Sequence, residues 1–366
     1  MSSTHRGQLL LIGIPGKTID PETADLIRRI QPGGFILFGR NIETAPQLRQ
    51  LTDDLRSLSK IEPIITIDQE GGRVSRLKLI GQEPPNAQQL REKGERELIR
   101  RHGELTADLL RLFGFNLDLC PVLDISFDDE ADNSLRGRCY GTDVAQVIDF
   151  AGTFNSALQN GGILSCGKHF PGYSAATNDP HHDLPVLDRP RELMEAHELA
   201  VFRHFADKID SMMIGHINYS GLDKSSLPAS LSPAIITDLL RRDMKFKGLV
   251  MTDDLDMGAI LNHYPLDETL RLALAAGNDQ LMICHRTHLA EKALEFLNTL
   301  PDSATETALA NTSDFKKKIS PPHDFDLENF AALDRGVWDL RVATLGEERA
   351  AQRSPEDGKR SPVEVY

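Results

Sequence analysis

Eight short apolar runs recur along the chain, and each is followed by a longer segment with the spacing of an amphipathic helix. Near-continuous apolar runs of this length are typical of strands buried on both faces, as in parallel sheets. The predicted strands are residues 8–14, 34–38, 64–68, 116–119, 163–166, 211–215, 249–252 and 280–284. Eight strand–helix repeats predict an α/β fold, a (β/α)8 TIM-type barrel, with an open doubly wound sheet as the structural alternative.

The length of the chain sets its domain organisation. A (β/α)8 barrel takes about 250 residues or more, so the 366 residues predict one barrel over residues 1–300. Residues 301–350 are predicted to form a C-terminal extension that packs on the barrel, with a helix over residues 326–345. The polar residues 351–366 are predicted to be a disordered tail.

Composition excludes several classes of partner. The net charge is −14 at pH 7, whereas nucleic acids and anionic membranes select basic surfaces. No apolar run approaches the roughly 20 residues that span a bilayer, and the first residues lack a secretory signal pattern. The four cysteines form no CxxC pair, which favours buried thiols in a reducing compartment. We therefore expect a cytoplasmic protein without a cofactor.

Polar or ionisable side chains follow seven of the eight predicted strands. These are Arg40 and Asn41, Asp68, Asp124, Lys168 and His169, His216, Asp253, and His285. In a (β/α)8 barrel the carboxyl ends of the strands meet on one face, where the active site lies. Burying so many polar groups without a partner is unfavourable. The pattern predicts a polar cup that holds a polyhydroxylated ligand.

The segment KHFPGYSAATNDPHHDLP, residues 168–185, places Asp179 and His181 two positions apart in a Gly- and Pro-containing loop. A carboxylate this close to an imidazole can orient and polarise it, as a histidine general acid/base requires. A solvated polar loop is the alternative. The neighbouring His182 and Asp183 suggest a metal ion, but no HxH or HExxH spacing supports one. We therefore expect no metal here.

A second acidic cluster, MTDDLDM, follows the seventh predicted strand. Asp253 comes directly after that strand and is predicted to point into the cup as the nucleophile of a two-step displacement. Asp254 and Asp256 are predicted to cap the following turn or helix. The alternative is that all three carboxylates are capping or solvated groups.

Two further motifs carry groups that suit a sugar. In IDQEGGRVSRL, the carboxylate of Asp68 and the guanidinium groups of Arg73 and Arg76 suit the recognition of vicinal hydroxyls. Lys168 and His169 are predicted to bind hydroxyls at the bottom of the same cup. A salt-bridged turn and satisfied structural residues are the respective alternatives.

Six motifs in order, IDQEGGRVSRL, LRGRCYGTD, KHFPGYSAATNDPH, MIGHINY, LPASLSP and MTDDLDMGAI, resemble bacterial β-N-acetylhexosaminidases of glycoside hydrolase family 3. The resemblance spans roughly residues 7–300. It implies a single-domain barrel that removes terminal β-linked N-acetylglucosamine with retention of configuration. Known members recycle peptidoglycan fragments in the cytoplasm, which implies a sugar substrate derived from such fragments.

The resemblance also implies roles for individual residues. Asp253 corresponds to the nucleophile, and Asp179 with His181 to the acid/base dyad. The positions that correspond to sugar-binding residues are Asp68, Arg76, Arg138, Lys168 and His169. The chain departs from the family at Tyr173-Ser174, where His-Gly is usual, at Pro180, where Ser is usual, and at Cys139-Tyr140, where Ser-Phe is usual. These changes leave the proposed catalytic groups in place.

Three other functions remain open from the sequence. A histidine acid/base repels an anionic acceptor less than a carboxylate does, so a phosphorylase is one alternative. A β-glucosidase of the same family is another, but it takes its acid/base from a second domain for which this sequence shows no candidate. A non-catalytic sugar-binding protein on the same barrel is the third.

Overall fold

Eight parallel strands close into a barrel in the computed structural model, which describes residues 5–130, 133–173 and 184–354. The strands follow chain order around the barrel, and the last pairs with the first. They are β1 (Leu10–Gly13), β2 (Gly34–Leu37), β3 (Ile64–Ile67), β4 (Leu117–Asp118), β5 (Leu164–Phe170), β6 (Ser211–Ile214), β7 (Leu249–Asp254) and β8 (Gln280–Ile283). The predicted (β/α)8 barrel is confirmed, and the open doubly wound alternative is wrong.

Two strands run further than their apolar sequence predicts. β5 continues to Phe170, and β7 continues to Asp254. The extra length of β5 arises because the chain after β4 keeps pairing with it: the Cys120 carbonyl accepts from the Cys166 N–H at 2.9 Å, and the Leu123 N–H donates to the Lys168 carbonyl at 2.7 Å. Lys168 therefore lies within a strand, where its N–H and its carbonyl both pair with the segment after β4.

Helices surround the barrel and continue beyond it. They are α1 (Pro21–Ile30), α2 (Ala45–Leu58), α3 (Ala87–Lys93), α4 (Arg96–Leu112), α5 (Val144–Asn160), α6 (Arg191–Ala196), α7 (Glu198–Phe205), a π-helix (Ala234–Asp243), α8 (Gly258–Leu261), α9 (Leu266–Ala276), α10 (His288–Leu297), α11 (Glu306–Lys316), α12 (Leu327–Leu345) and α13 (Glu347–Ala350). Across the described ranges, no helix combines the length and apolarity that a bilayer crossing requires.

Local chemistry explains where several helices begin and end. The side chains of Asp20, Thr44 and Asp143 each accept a hydrogen bond from the N–H of the third residue of the helix that follows, which is the usual N-cap contact. Residues 87–112 form two helices rather than one, because Gly94 adopts a left-handed conformation (φ 75°) and ends α3.

The interior of the barrel is apolar and closed at its amino-terminal end. Phe315 of α11 packs with strand residues such as Leu11 and Leu249 in one buried cluster. Gln280, the first residue of β8, donates to the Thr312 hydroxyl of the same helix at 2.9 Å. Because α11 covers this end, the opposite end, formed by the carboxyl termini of the strands, is the one open to a ligand.

The final long helix, α12, packs against α4. Val337 and Leu340 are buried on its inner side. Arg341 is buried as well, and it donates to the Glu83 carboxylate at 3.0 Å and to the Ala350 carbonyl at 2.8 Å. The C-terminal helices are thus held to the loop after β3 by an ion pair shielded from solvent.

The contact between α4 and α5 supplies a test of the packing. A Cβ atom on Gly103 would lie 2.7 Å from both Ala157 Cβ and the Phe154 carbonyl oxygen, so Gly103→Ala should push the helices apart and lower the free energy of unfolding by about 1–3 kcal/mol. On Gly152 of α5 the nearest atom is 3.7 Å away, so Gly152→Ala should be neutral or stabilise by up to about 1 kcal/mol. Urea unfolding of both variants measures this, and equal stabilities would contradict the close packing.

Candidate active site

A cavity that is partly open to solvent lies at the carboxyl end of the barrel. Its lining residues are Ile36, Phe38, Asp68, Leu119, Arg138, Lys168, His169, Tyr173, Met213, Gly215, His216, Ile217, Asp253, Asp254, Met257, Met282, Cys284 and His285. Five predicted site residues are thus brought together here. Arg76 is not among the lining residues, but its Nη2 lies 3.7 Å from Asp68 Oδ2. Asp179 and His181 lie outside the described residues.

One wall of the cavity is a buried network of charged side chains. The Lys168 Nζ lies 2.6 Å from Asp68 Oδ1 and 2.6 Å from Glu70 Oε1. Arg138 donates to both oxygens of Glu70, each at 2.8 Å. Glu70 therefore joins the two cations that the sequence predicts as sugar-binding groups. We did not predict this role, although Glu70 stands two positions after Asp68 in the DQEGG motif.

The charges of this network hold one another in the ionised state. Burial alone would raise the pKa of Glu70, but the Arg138 and Lys168 cations outweigh it and hold that pKa below its usual range. Burial likewise opposes the charge on Lys168, but Asp68 and Glu70 raise the pKa of its ammonium. The donors and acceptors are thus charged and oriented before a ligand arrives, which is the condition for strong recognition in a water-poor site.

Removal of the Glu70 charge tests the network. Glu70→Gln leaves two buried cations short of a carboxylate, so we expect the free energy of unfolding to fall by about 3–5 kcal/mol. Glu43→Gln is the matched control, because Glu43 forms an ion pair with Lys17 in which both side chains are exposed, and its loss should cost about 1 kcal/mol or less. Denaturant unfolding compares the two, and similar small losses would show that the network contributes no special stability.

A second wall is organised by Asp124. Its Oδ2 accepts from both the backbone N–H and the Nδ1–H of His169, at 3.0 and 2.8 Å, and its Oδ1 accepts from the Tyr173 N–H at 2.9 Å. Because Nδ1 of His169 is occupied by Asp124, Nε2 is the ring nitrogen through which His169 can contact a ligand. The peptide bonds Lys168–His169 and Phe170–Pro171 are cis.

Tyr173, one of the departures from the family pattern, belongs to the same wall. Its ring centroid lies 4.7 Å from that of His169, and its hydroxyl is 3.0 Å from Ser134 Oγ. The Ser134 carbonyl accepts from Arg138 Nη1 at 3.0 Å. Tyr173 therefore connects the end of β5 to the turn that carries Arg138.

The three carboxylates of MTDDLDM have different environments. Asp253 is half-buried and lines the cavity, whereas Asp254 and Asp256 are buried. Asp254 Oδ1 accepts from the Asp256 and Cys284 N–H groups at 2.9 and 3.1 Å. Asp256 Oδ2 accepts from the two N–H groups that follow Cys284. Asp254 thus caps the following turn through the Asp256 N–H, as predicted, whereas the donors to Asp256 belong to the loop after β8 and not to the turn or helix that the prediction named.

The environment of Asp254 makes stability depend on pH. Burial, with a further contribution from the Asp256 charge, raises the pKa of Asp254 from 3.8 to about 8. The folded protein therefore keeps a proton that the unfolded chain releases. The contribution of Asp254 to the free energy of unfolding is complete below pH 3.8 and is lost as the pH rises through about 8.

Asp254→Asn, which carries no titratable proton, should remove this pH dependence. We expect the variant to gain stability relative to the wild type when the pH is raised from about 5 to about 9, measured by urea unfolding at both values. The exposed Asp267→Asn is the control, because its side chain lies in solvent at the start of α9. A stability difference that does not change with pH would show that Asp254 is already ionised at the lower pH.

The cavity therefore combines fixed cations, fixed carboxylates and a half-buried carboxylate on one side of a (β/α)8 barrel. Charged and hydrogen-bonding groups in this density suit a ligand with many hydroxyls, and Asp253 can act on it as a nucleophile or base. The fold and the site define an enzyme that acts on carbohydrate. Residues 3–312 match the model of the glycosyl hydrolase family 3 N-terminal domain, and the chain belongs to this family.

Relatives cover nearly the whole length of the chain. A β-hexosaminidase of Photobacterium profundum is 32% identical over 316 residues, which are 85% of this chain and 92% of the relative. A solved family 3 β-N-acetylglucosaminidase from a Paenibacillus species superposes with a TM-score of 0.83 at 28% identity, covering 93% of this chain and 68% of that one.

A smaller solved relative matches end to end. NagZ from Neisseria gonorrhoeae, in complex with a zinc ion, superposes with a TM-score of 0.77 at 27% identity, covering 90% of this chain and 97% of that one. The protein is thus a glycoside hydrolase of the β-hexosaminidase type, and the family resemblance predicted from the motifs is confirmed.

Proposed function

We propose that the protein is a retaining exo-β-N-acetylglucosaminidase that removes terminal β-linked N-acetylglucosamine through a covalent intermediate on Asp253. The observation that carries the proposal is the position of Asp253. It lies at the end of β7 and opens into the cavity whose opposite wall holds Asp68, Lys168 and Arg138. A sugar gripped by those charged groups would present a ring carbon to the only half-buried carboxylate among the described residues that line the cavity.

The relatives support N-acetylglucosamine as the sugar. The Photobacterium protein is a β-hexosaminidase, and the Paenibacillus structure is a β-N-acetylglucosaminidase. The natural substrate that we propose is a peptidoglycan fragment with a terminal N-acetylglucosamine, cleaved in the cytoplasm. The acidic surface and the sugar-binding groups Asp68, Arg76, Arg138, Lys168 and His169 agree with a small carbohydrate substrate.

In the proposed mechanism, Asp253 attacks the anomeric carbon while the leaving oxygen takes a proton from His181, oriented by Asp179. The same histidine then removes a proton from water, which releases the sugar with its configuration retained. Retaining glycosidases usually use two carboxylates about 5–5.5 Å apart, and here an imidazole replaces one of them. Tyr173, the last described residue before the segment that carries this dyad, lines the cavity.

Phosphate is the alternative acceptor, because a neutral imidazole repels an anion less than a carboxylate would. A phosphorylase would release N-acetylglucosamine 1-phosphate and would turn over faster with added phosphate. A hydrolase would release only the free sugar at an unchanged rate.

The experiment that tests the proposal is release of p-nitrophenol from the N-acetyl-β-glucosaminide and, beside it, from the β-glucoside. Asp253→Asn should lower the rate on the aminosugar by at least about 10³-fold, because the amide cannot form the glycosyl ester. The exposed Asp267→Asn should keep the wild-type rate. Aminosugar activity that survives in Asp253→Asn would reject the nucleophile, and preference for the β-glucoside would reject the sugar.

A further inference from the structure

The protonation of His285 is determined by its neighbour Arg40. Arg40 Nη1 lies 2.8 Å from His285 Nδ1, and a guanidinium group can only donate. Nδ1 must therefore accept, and the proton of the neutral imidazole sits on Nε2. Arg40 is itself held in place, because it also donates to the carbonyls of Ile14 and Cys284 at 3.0 and 2.6 Å.

His216 has the same tautomer for a different reason. Its Nε2 lies 2.9 Å from the main-chain oxygen of Asp254, and a carbonyl oxygen can only accept. Nε2 must therefore carry a proton. On the other side of the ring, Nδ1 lies 2.7 Å from the buried Ser230 hydroxyl, which donates to it when the imidazole is neutral.

The two imidazoles converge on Asp254. His216 donates to its carbonyl, and His285 Nε2 lies 3.6 Å from its Oδ2. The other carboxylate oxygen of Asp254 already accepts two backbone N–H groups. Finally, the Asp254 N–H donates to Asp253 Oδ1 at 2.8 Å. The residue whose N–H orients the Asp253 carboxylate therefore accepts a hydrogen bond from His216 Nε2–H, whereas His285 Nε2 lies beyond hydrogen-bond distance.

We propose that His216 is a positioning residue that holds Asp254 through its Nε2–H group and thereby fixes the direction of the Asp253 carboxylate. This proposal rests on the proposed role of Asp253 as the nucleophile. Both nitrogens of the His216 ring are engaged within the protein, at Asp254 on one side and at Ser230 on the other. Its contribution is to orientation and not to proton transfer, and a displacement of about 1 Å at a reacting group can cost about 100-fold in rate.

Glutamine and asparagine separate the two sides of the His216 ring. A glutamine amide reaches the position of Nε2 and keeps a donor to Asp254, whereas an asparagine amide reaches only the position of Nδ1 and keeps the contact with Ser230. We expect His216→Gln to hold kcat within about fivefold of the wild type. We expect His216→Asn to lower it about 10- to 100-fold, with KM changed less than about threefold.

The exposed His204→Ala is the control, and thermal unfolding shows that each variant is folded. Activity of His216→Asn equal to that of His216→Gln would overturn the proposal, because the donor to Asp254 would then be unnecessary. Impairment of His216→Gln equal to that of His216→Asn would also overturn it.

A second measurement does not depend on activity. In protein labelled with ¹⁵N-histidine, the imidazole nitrogen signals of His216, assigned with His216→Gln, should report a proton on Nε2. A proton on Nδ1 alone at His216 would overturn the proposal even in an active enzyme. If the wild type releases no aminosugar, the function proposed for Asp253 fails, and the tautomer still decides whether Asp254 is held in this way.

Discussion

The ammonium group of Lys168, buried between Asp68 and Glu70, is the contact on which the arrangement of the site depends. A buried cation is tolerated only when carboxylates and hydrogen bonds compensate for the water that it has lost. Here the compensation comes from two carboxylates on the segment that directly follows β3, and Glu70 in turn engages Arg138. β3, β5 and the turn that carries Arg138 are therefore held in one relative position, and any ligand in the cavity meets a wall that is already charged.

The barrel has one apolar end and one polar end, and this difference explains why the site lies at the carboxyl end of the strands. At the amino-terminal end of the barrel, Phe315 fills the space between the strands, and Gln280 contacts Thr312. At the carboxyl end, the strands lead into side chains that require partners, and those side chains find one another. Asp124 is an example, because its one carboxylate holds both His169 and the backbone of Tyr173.

Neighbouring carboxylates of one motif have different chemistry because they face different surroundings. Asp254 is buried beside Asp256, and its pKa is raised, whereas Asp253 reaches the cavity. The groups that surround Asp254, including His216 and the N–H groups of Asp256 and Cys284, support the backbone on which Asp253 stands. The carboxylate of Asp253 at the end of β7 is thus supported by groups from the loops after β6, β7 and β8.

The sequence by itself determined the barrel, the order of its eight strands and the family, because apolar periodicity and ordered motifs are local properties of the chain. It also identified Asp68, Arg138, Lys168, His169 and Asp253, which the structure brings to one cavity. The role of Glu70 was missed, because a single carboxylate in a turn is indistinguishable from a solvated one until its cations are known. Helix α11 was missed for a similar reason: its Thr-, Asn- and Ser-containing sequence has weak helical preference, and burial of Phe315 stabilises it. Only the tertiary structure decided the length of β5, the tautomers of His216 and His285 and the environments of Asp253 and Asp254, since each depends on partners distant in the chain.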